Sequence, residues 1–394
     1  MMHLAFLAAR TLLFRRGSFV LLLTAITGAL GLQISNSANV EGYSAEIFNK
    51  GILPSIGHIL VTNSDAEPVR GRANIVTKLS SQPDVATVAP RFLHPAVLFH
   101  RTNRQPINAT GVVATAEEQA NHFCGRLASG RCFSSPGARE LVLGHRLGAD
   151  LKVAVGDTAT LVLPFEDLDG VRYVKERFTI VGLLRPLGGF TGVEHAAFLP
   201  IDVLCSLVED QDAFTSLHVY LKQGRAAEAV ADGLQRVTGP SLSVRAWPQA
   251  AAGIVPLIES SRSVNRISQA MVVLAILLPT LALLWINVIR EQRQIAAMQA
   301  IGFTRQAVFT VYLMRASFLG ILGSLLGLAT GLLLCVYFRE HPIYYQNGFS
   351  IVPLLRTSTL VESVALALLI TTMGGMAPAL HAAFSNPTMT MRGP

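Results

Sequence analysis

The sequence predicts a membrane α-helical protein with four transmembrane helices and one large α+β extracytoplasmic domain, which includes a small β-barrel-like insertion. Three observations predict it. Hydrophobic residues make up 51% of the 394 residues against 14% charged, a membrane-like balance. Four runs reach the roughly 20 apolar residues a helix needs to cross about 30 Å of hydrocarbon. Charge is distributed unevenly around those runs.

The spans are read at 17–35, 270–289, 316–338 and 360–380; the first three carry no charge and the fourth carries Glu362 near one end. Arg15 and Arg16 before the first run also suit a secretory signal. The apolar stretch is longer than a signal core, however, and Gln33-Ile34-Ser35 is a poor cleavage site, so the run is expected to stay as an anchor.

Charge sets the orientation. Residues 36–269 hold 22 Lys/Arg and 22 Asp/Glu, so the net +7 lies entirely outside that block. Arg10, Arg15 and Arg16 precede span 1, Arg290, Arg293, Arg305 and Arg315 lie between spans 2 and 3, and Arg392 follows span 4. Basic short loops face the cytoplasm, which places both termini inside and the neutral block outside. A nucleic-acid binder needs a basic folded face, and the one large domain is neutral. Arg315 is expected to snorkel to the cytoplasmic interface.

Within the outward block, GHILVTN, VATVAP and HPAVLFH read as strands, and VRGRANIVTKLSSQP as an amphipathic helix. Residues 136–205 are strand-rich (ELVLG, GDTATLVLP, RYVKERFTIVGLL, HAAFLP), with the short helix HRLGADLK among them, and suggest a small barrel. A strand–helix–strand pattern returns in SLHVYLK, GRAAEAVADGLQRVTG and LSVRAW, so the strand-rich module reads as an insertion.

Catalytic signatures are missing from the text. There is no Gly-x-Ser-x-Gly elbow, no His-Glu-x-x-His and no calcium loop, and the histidines are dispersed. Neither His nor Cys spacing suits zinc, so no catalytic residue and no metal ligand is assigned. Asn108-Ala109-Thr110 is a glycosylation sequon that matters only in a glycosylating compartment. Cys124 and Cys132 flank a short outward loop; an oxidising compartment allows them to pair, and two free thiols is the other reading.

The loop after span 2 carries good helix formers through residue 301, with Ile295, Met298 and Ile301 at helical spacing and Gly302 as the stop. Such a helix either caps the bundle or offers its apolar face to a cytoplasmic motor. In span 3, Gly323, Gly327 and Gly331 recur every four residues, a close-packing face used either within one chain or across a dimer. Pro279 and Pro378 are expected to kink spans 2 and 4.

Three stretches carry a family resemblance. REQRQIAAMQAIGF (290–303), GILGSLLGLATG (320–331) and the ending MAPALHAAFSNPTMTMR resemble the permeases of type VII ABC transporters, the MacB-like, FtsX-like and lipoprotein-releasing LolC/LolE-like group. ELVLGHRLGADLKVAVGDTATLVL is similar to the family's barrel-forming stretch. Gln294, Ala296, Gln299 and Arg315 depart from the family's usual Glu, Gly, basic residue and acid.

The resemblance implies a porter-like part at 36–115 and 215–248, the insertion at 116–214 and a stalk helix at 249–269. A cytoplasmic amphipathic segment covers 1–16, a coupling helix 290–305, span 3 together with the turns that lead into its apolar run 306–338, an outer loop 339–359 and a cytoplasmic tail 381–394. It also implies an ATPase-coupling role for Arg290, Arg293, Gln294, Ile295, Met298, Ala300, Ile301 and Gly302. The chain lacks a phosphate loop, so it is not an enzyme and holds no cofactor; ATP and Mg would be bound by a partner ATPase.

The resemblance further implies a second permease copy or paralogue, membrane lipids and, in some complexes, a periplasmic adaptor or outer-membrane partner. The place implied is a bacterial inner membrane, with the domain in the periplasm. The work implied is mechanotransmission that extracts or exports a lipoprotein, lipid or other amphiphile; the alternative is an FtsX-like transmitter that transports nothing and activates an outside hydrolase.

Overall fold

The computed structural model describes residues 16–63, 67–167, 170–186, 192–224, 227–346 and 348–384. The N-terminal segment and the tail expected beyond Phe384, with Pro387 and Arg392, lie outside the described residues. Two units form: Leu257–Ile343 and Ile351 onward join the first helix in one, and Glu46–Pro256 with Tyr344–Ser350 make the other.

The helical unit contains four helices long and apolar enough to cross a membrane. Span 1 is Arg16–Glu46, span 2 Val255–Arg290, span 3 Arg305–Glu340 and span 4 Thr357–Phe384. Each outruns its apolar run. Span 1 continues through the polar text after Gln33 because its side chains find partners on span 2: Asn36 Nδ2 donates to Asn265 Oδ1 at 3.2 Å, and Ser268 Oγ to Gln33 Oε1 at 3.3 Å. Most of the segment expected as a separate stalk is therefore the start of span 2. Pro279 and Pro378 sit inside continuous helices.

A short loop helix, Gln292–Ala300, joins spans 2 and 3. Gly302, at φ +102°, ends it as expected, because that backbone conformation suits a residue without Cβ. Thr304 then starts span 3, its side chain accepting from the Ala307 N–H at 3.2 Å.

In the α/β unit the strands are β1 Ile59–Asn63, β2 Val69–Arg70, β3 Val85–His100, β4 Asn103–Val112, β5 Leu127–Gly130, β6 Glu140–Leu143, β7 Thr158–Asp167, β8 Gly170–Leu184, β9 Ala197–Pro200, β10 Ala213–Phe214, β11 Ser216–Leu221 and β12 Leu242–Ala246. The helices that cover them are α1 Arg72–Ser80, α2 Ala114–Asn121, α3 His145–Leu151, α4 Ile201–Leu207 and α5 Ala227–Thr238.

One antiparallel sheet runs β12-β1-β11-β3. Its core holds Ile59, Val61, Leu217, Val219 and Leu221 from the strands, with Leu79 of α1 and Leu234 of α5. The second body is a closed ring: β3 pairs β4, then β9, β6, β8 and β7 follow, and β7 returns to β3. Phe92, Leu98, Leu141, Leu143, Leu161, Leu163, Phe178 and Ile180 fill it. Closure leaves the ring without a free edge.

The boundary expected at residue 115 is corrected here. β3 belongs to both bodies: its first half pairs β11 up to Arg91, and Val97–Phe99 pair β7, while β4 lies wholly in the ring. The text read as two strands is one, although Pro90 and Pro95 interrupt it. Pro95 has no N–H to give, and it stands where β3 has left β11 and not yet met β7, so no ladder bond is lost on that side.

Candidate functional site

The loop helix presents two unlike faces. Ile295 is 0% exposed and packs with Val288 of span 2, Val308 and Tyr312 of span 3, and Ala379 and Ala382 of span 4; Met298 is half-buried beside them. Arg290, Arg293, Gln294, Ala297, Ala300 and Gly302 are exposed, and Ile301 is 81% exposed. Of the two uses the sequence leaves open for this apolar stripe, the structure has the capping one: Ile295 and Met298 face the bundle. Helical spacing identifies an apolar stripe, and here spans 2, 3 and 4 of the same chain cover it.

Arg315 is also corrected. It does not snorkel: it is 6% exposed, and Nη1 donates to Glu291 Oε2 at 2.5 Å. Tyr312 Oη donates to the same oxygen at 2.7 Å, and the guanidinium lies over the Tyr312 ring at 4.5 Å. Burial of both charges is tolerable because they face each other with further hydrogen bonds. Sequence reasoning missed Glu291. The available signal was one acid among the arginines of the loop, spaced to meet the next span.

Gly323, Gly327 and Gly331 face span 1 of the same chain. A Cβ added to them would stand 2.6 Å from Ile26 Cγ2, 2.9 Å from Leu30 Cβ and 2.8 Å from Ile34 Cβ. Packing within the chain is thus the arrangement observed for this face.

In the α/β unit Cys124 and Cys132 are bonded to each other, with Cα atoms 5.5 Å apart, whereas Cys205 and Cys335 are free and buried. The bridge ties the loop beside β5 to a cluster containing Phe123, Val142, Val181 and Phe198. Near the point where β3 changes partner, Arg91 donates to both Glu117 oxygens at 2.6 and 2.9 Å and to the Pro54 carbonyl at 2.8 Å. Burial alone would lower the Arg91 guanidinium, but the Glu117 charge and hydrogen bonds more than offset it and hold the group above its ordinary range.

His218 of β11 is 3% exposed and shares a 3.1 Å hydrogen bond between Nε2 and Ser216 Oγ. Burial first, then the Arg91 charge, push its pKa well below the ordinary value, which keeps the ring neutral. Among the described residues no group of three His, Cys, Asp or Glu is gathered to hold a metal ion.

Comparisons with known proteins match both units. Residues 17–237 match the family model described as MacB-like periplasmic core domain, and 267–387 that described as FtsX-like permease C-terminal. The LolC transmembrane protein of the lipoprotein-releasing system from Xylella fastidiosa (strain 9a5c) is 25% identical over 323 residues, 80% of this chain and 77% of that one. Its namesake from Neisseria meningitidis serogroup B is 21% identical over 312 residues, 75% and 71% of the two chains. The crystal structure of the periplasmic region of MacB from Actinobacillus actinomycetemcomitans is similar at 13% identity and a TM-score of 0.38, covering 52% of this chain and 95% of that one.

Proposed function

The chain belongs to the family defined by the MacB-like periplasmic core domain and the FtsX-like permease C-terminal region, and it is the permease of an ABC transporter of the LolC/MacB type; we propose that it works by transmitting motion from a separate cytoplasmic ATPase to its α/β unit. The loop helix carries this reading. Its outer face offers Arg293, Gln294, Ala300 and Ile301, while Ile295 on its inner face is locked among spans 2, 3 and 4. A push on the outer face therefore reaches three spans at once.

In this reading the helix docks on the ATPase, both termini are cytoplasmic and the α/β unit stands in the periplasm of an inner-membrane protein. ATP and Mg are bound by the ATPase. A second permease, identical or paralogous, completes the pair, and adaptor or outer-membrane proteins join in some assemblies. The cargo is a lipoprotein, lipid or other amphiphile taken from the outer leaflet. The relatives named for lipoprotein release support that choice, and so do the span centres, which lack the charged groups a polar path through the bilayer needs.

The test is reconstitution with the cognate ATPase in lipid nanodiscs. Hydrolysis is expected to rise when a triacylated lipoprotein is supplied, and the lipoprotein is expected to leave the membrane in the presence of a soluble acceptor. Hydrolysis indifferent to lipoprotein, lipid and detergent-like amphiphile alike, together with activation of an added cell-wall hydrolase, would replace transport by signalling.

A further inference from the structure

A cavity of about 820 Å³ opens in the α/β unit where β3 leaves the open sheet for the closed ring. It is within the size range of small-molecule sites. Its walls are apolar: Leu60 of β1, Leu93 and Val97 of β3, Pro106 and Ile107 of β4, and Phe198 of β9 are among them. Its depth is polar. Arg91, Thr110, Ser216 and His218 line it, and all four are buried.

Two polar atoms in this lining stand out. Among the described residues, His218 Nδ1 and Ser55 Oγ are buried and have no hydrogen-bond partner. A buried polar group left unsatisfied is costly, and a ligand head placed in this cavity would satisfy both atoms. His218 Nε2 is already engaged by Ser216, which leaves Nδ1 for an incoming group.

The charge at the cavity floor is balanced. The Arg91 guanidinium is neutralised by the two-oxygen pairing with Glu117, and burial keeps His218 uncharged. A carboxylate or phosphate taken to this floor would lose its water and meet an Arg91 already paired with Glu117 and a neutral His218, whereas an amide or hydroxyl head would satisfy the orphan atoms at little desolvation cost.

We infer that this cavity binds a single-chain amphiphile with an uncharged hydrogen-bonding head, the head resting on His218 and Ser55 and the alkyl chain lying along Leu60, Val97 and Ile107 toward the mouth. The site belongs to the α/β unit alone and needs no ATPase. It stands apart from the coupling role of the loop helix, and either can fail without the other.

The probe is 1-monooleoylglycerol with a diazirine in its acyl chain, photolysed with the full chain in phosphatidylethanolamine/phosphatidylglycerol nanodiscs and mapped by peptide mass spectrometry. Labels are expected on residues 93–110 and 56–60, competed by unlabelled monooleoylglycerol and at least about tenfold less well by oleate. Val97→Trp, which fills the cavity, and Ser55→Ala with His218→Phe, which remove the polar floor, should each cut labelling at least about tenfold. The comparison of the two competitors in the unsubstituted chain decides the head-group claim even if a variant misfolds. Labels confined to the spans, equal competition by oleate, or full labelling of a folded Val97→Trp chain would overturn the assignment.

Discussion

Arg315 Nη1 donates to Glu291 Oε2 at 2.5 Å, joining the residue just after span 2 to a point about three turns into span 3. Both side chains are buried, and Tyr312 shares the carboxylate oxygen. The pair therefore fixes the angle at which the loop helix leaves span 2. It sits beside the Ile295 cluster, so the helix is held from two sides.

Removing one member of that pair leaves the other charged and buried. Arg315→Met is expected to cost about 3–5 kcal/mol, and the Glu291→Met/Arg315→Met double substitution to recover most of that loss. Thermal unfolding of the unsubstituted chain, Arg315→Met, Glu291→Met and the double variant in one detergent checks it; a double variant as unstable as the sum of the two singles would show that the pair is not the cause.

The two faces of the loop helix should separate fold from coupling. Ile301→Asp alters a residue 81% exposed and should leave the chain folded while abolishing stimulation of the partner ATPase. Ile295→Asp puts an unpaired charge among Val288, Val308 and Ala379 and should lose the folded chain itself, at several kcal/mol. Size-exclusion profiles and ATPase rates are the readouts, and normal stimulation in Ile301→Asp would end the docking assignment.

What could be read in advance followed a physical divide. Apolar runs of about 20 residues state the spans directly, because the bilayer demands them locally. The helix of α1, the strand–helix–strand return and Gly302 are likewise local, and the structure has them. Pairing is not local. Nothing in the spacing of Ile295 and Met298 says which surface covers them, and nothing in the glycines of span 3 says whether Leu30 or a partner fills the groove. Pro90 and Pro95 divide β3 in the sequence because a single strand changing partners midway has no sequence signature. Glu291 went unnoticed because its value depends on Arg315, which lies 24 residues away.

The glycine face offers a contrast between two helix positions. A Cβ at Gly327 would meet Leu30 at 2.9 Å, whereas one at Gly28 of span 1 would meet nothing within 4 Å. Gly327→Val should therefore destabilise the chain by about 1–3 kcal/mol through overpacking. Gly28→Ala should stabilise it slightly, by about 0.5–1 kcal/mol, by restricting the unfolded chain. Adding Leu30→Ala to Gly327→Val should restore part of the loss. Paired melting curves test this, and a Gly327→Val chain that melts normally but no longer pairs with a second permease would move the face to the dimer.

His218 makes the stability of the α/β unit depend on pH in a definite direction. Burial, and secondarily Arg91, hold its folded pKa well below the ordinary 6.5, so between the two values the unfolded chain binds a proton that the folded chain refuses. Stability is then complete above about pH 6.5 and declines as pH falls below it, by at most about 1.4 kcal/mol per pH unit for one proton. His58, lowered by its own burial, adds to the same slope. His218→Phe takes one of the two protons out of the balance. Denaturant unfolding from pH 7.5 to pH 5 should therefore show a flatter decline for the variant than for the unsubstituted chain, and parallel declines would mean that His218 is protonated as readily folded as unfolded.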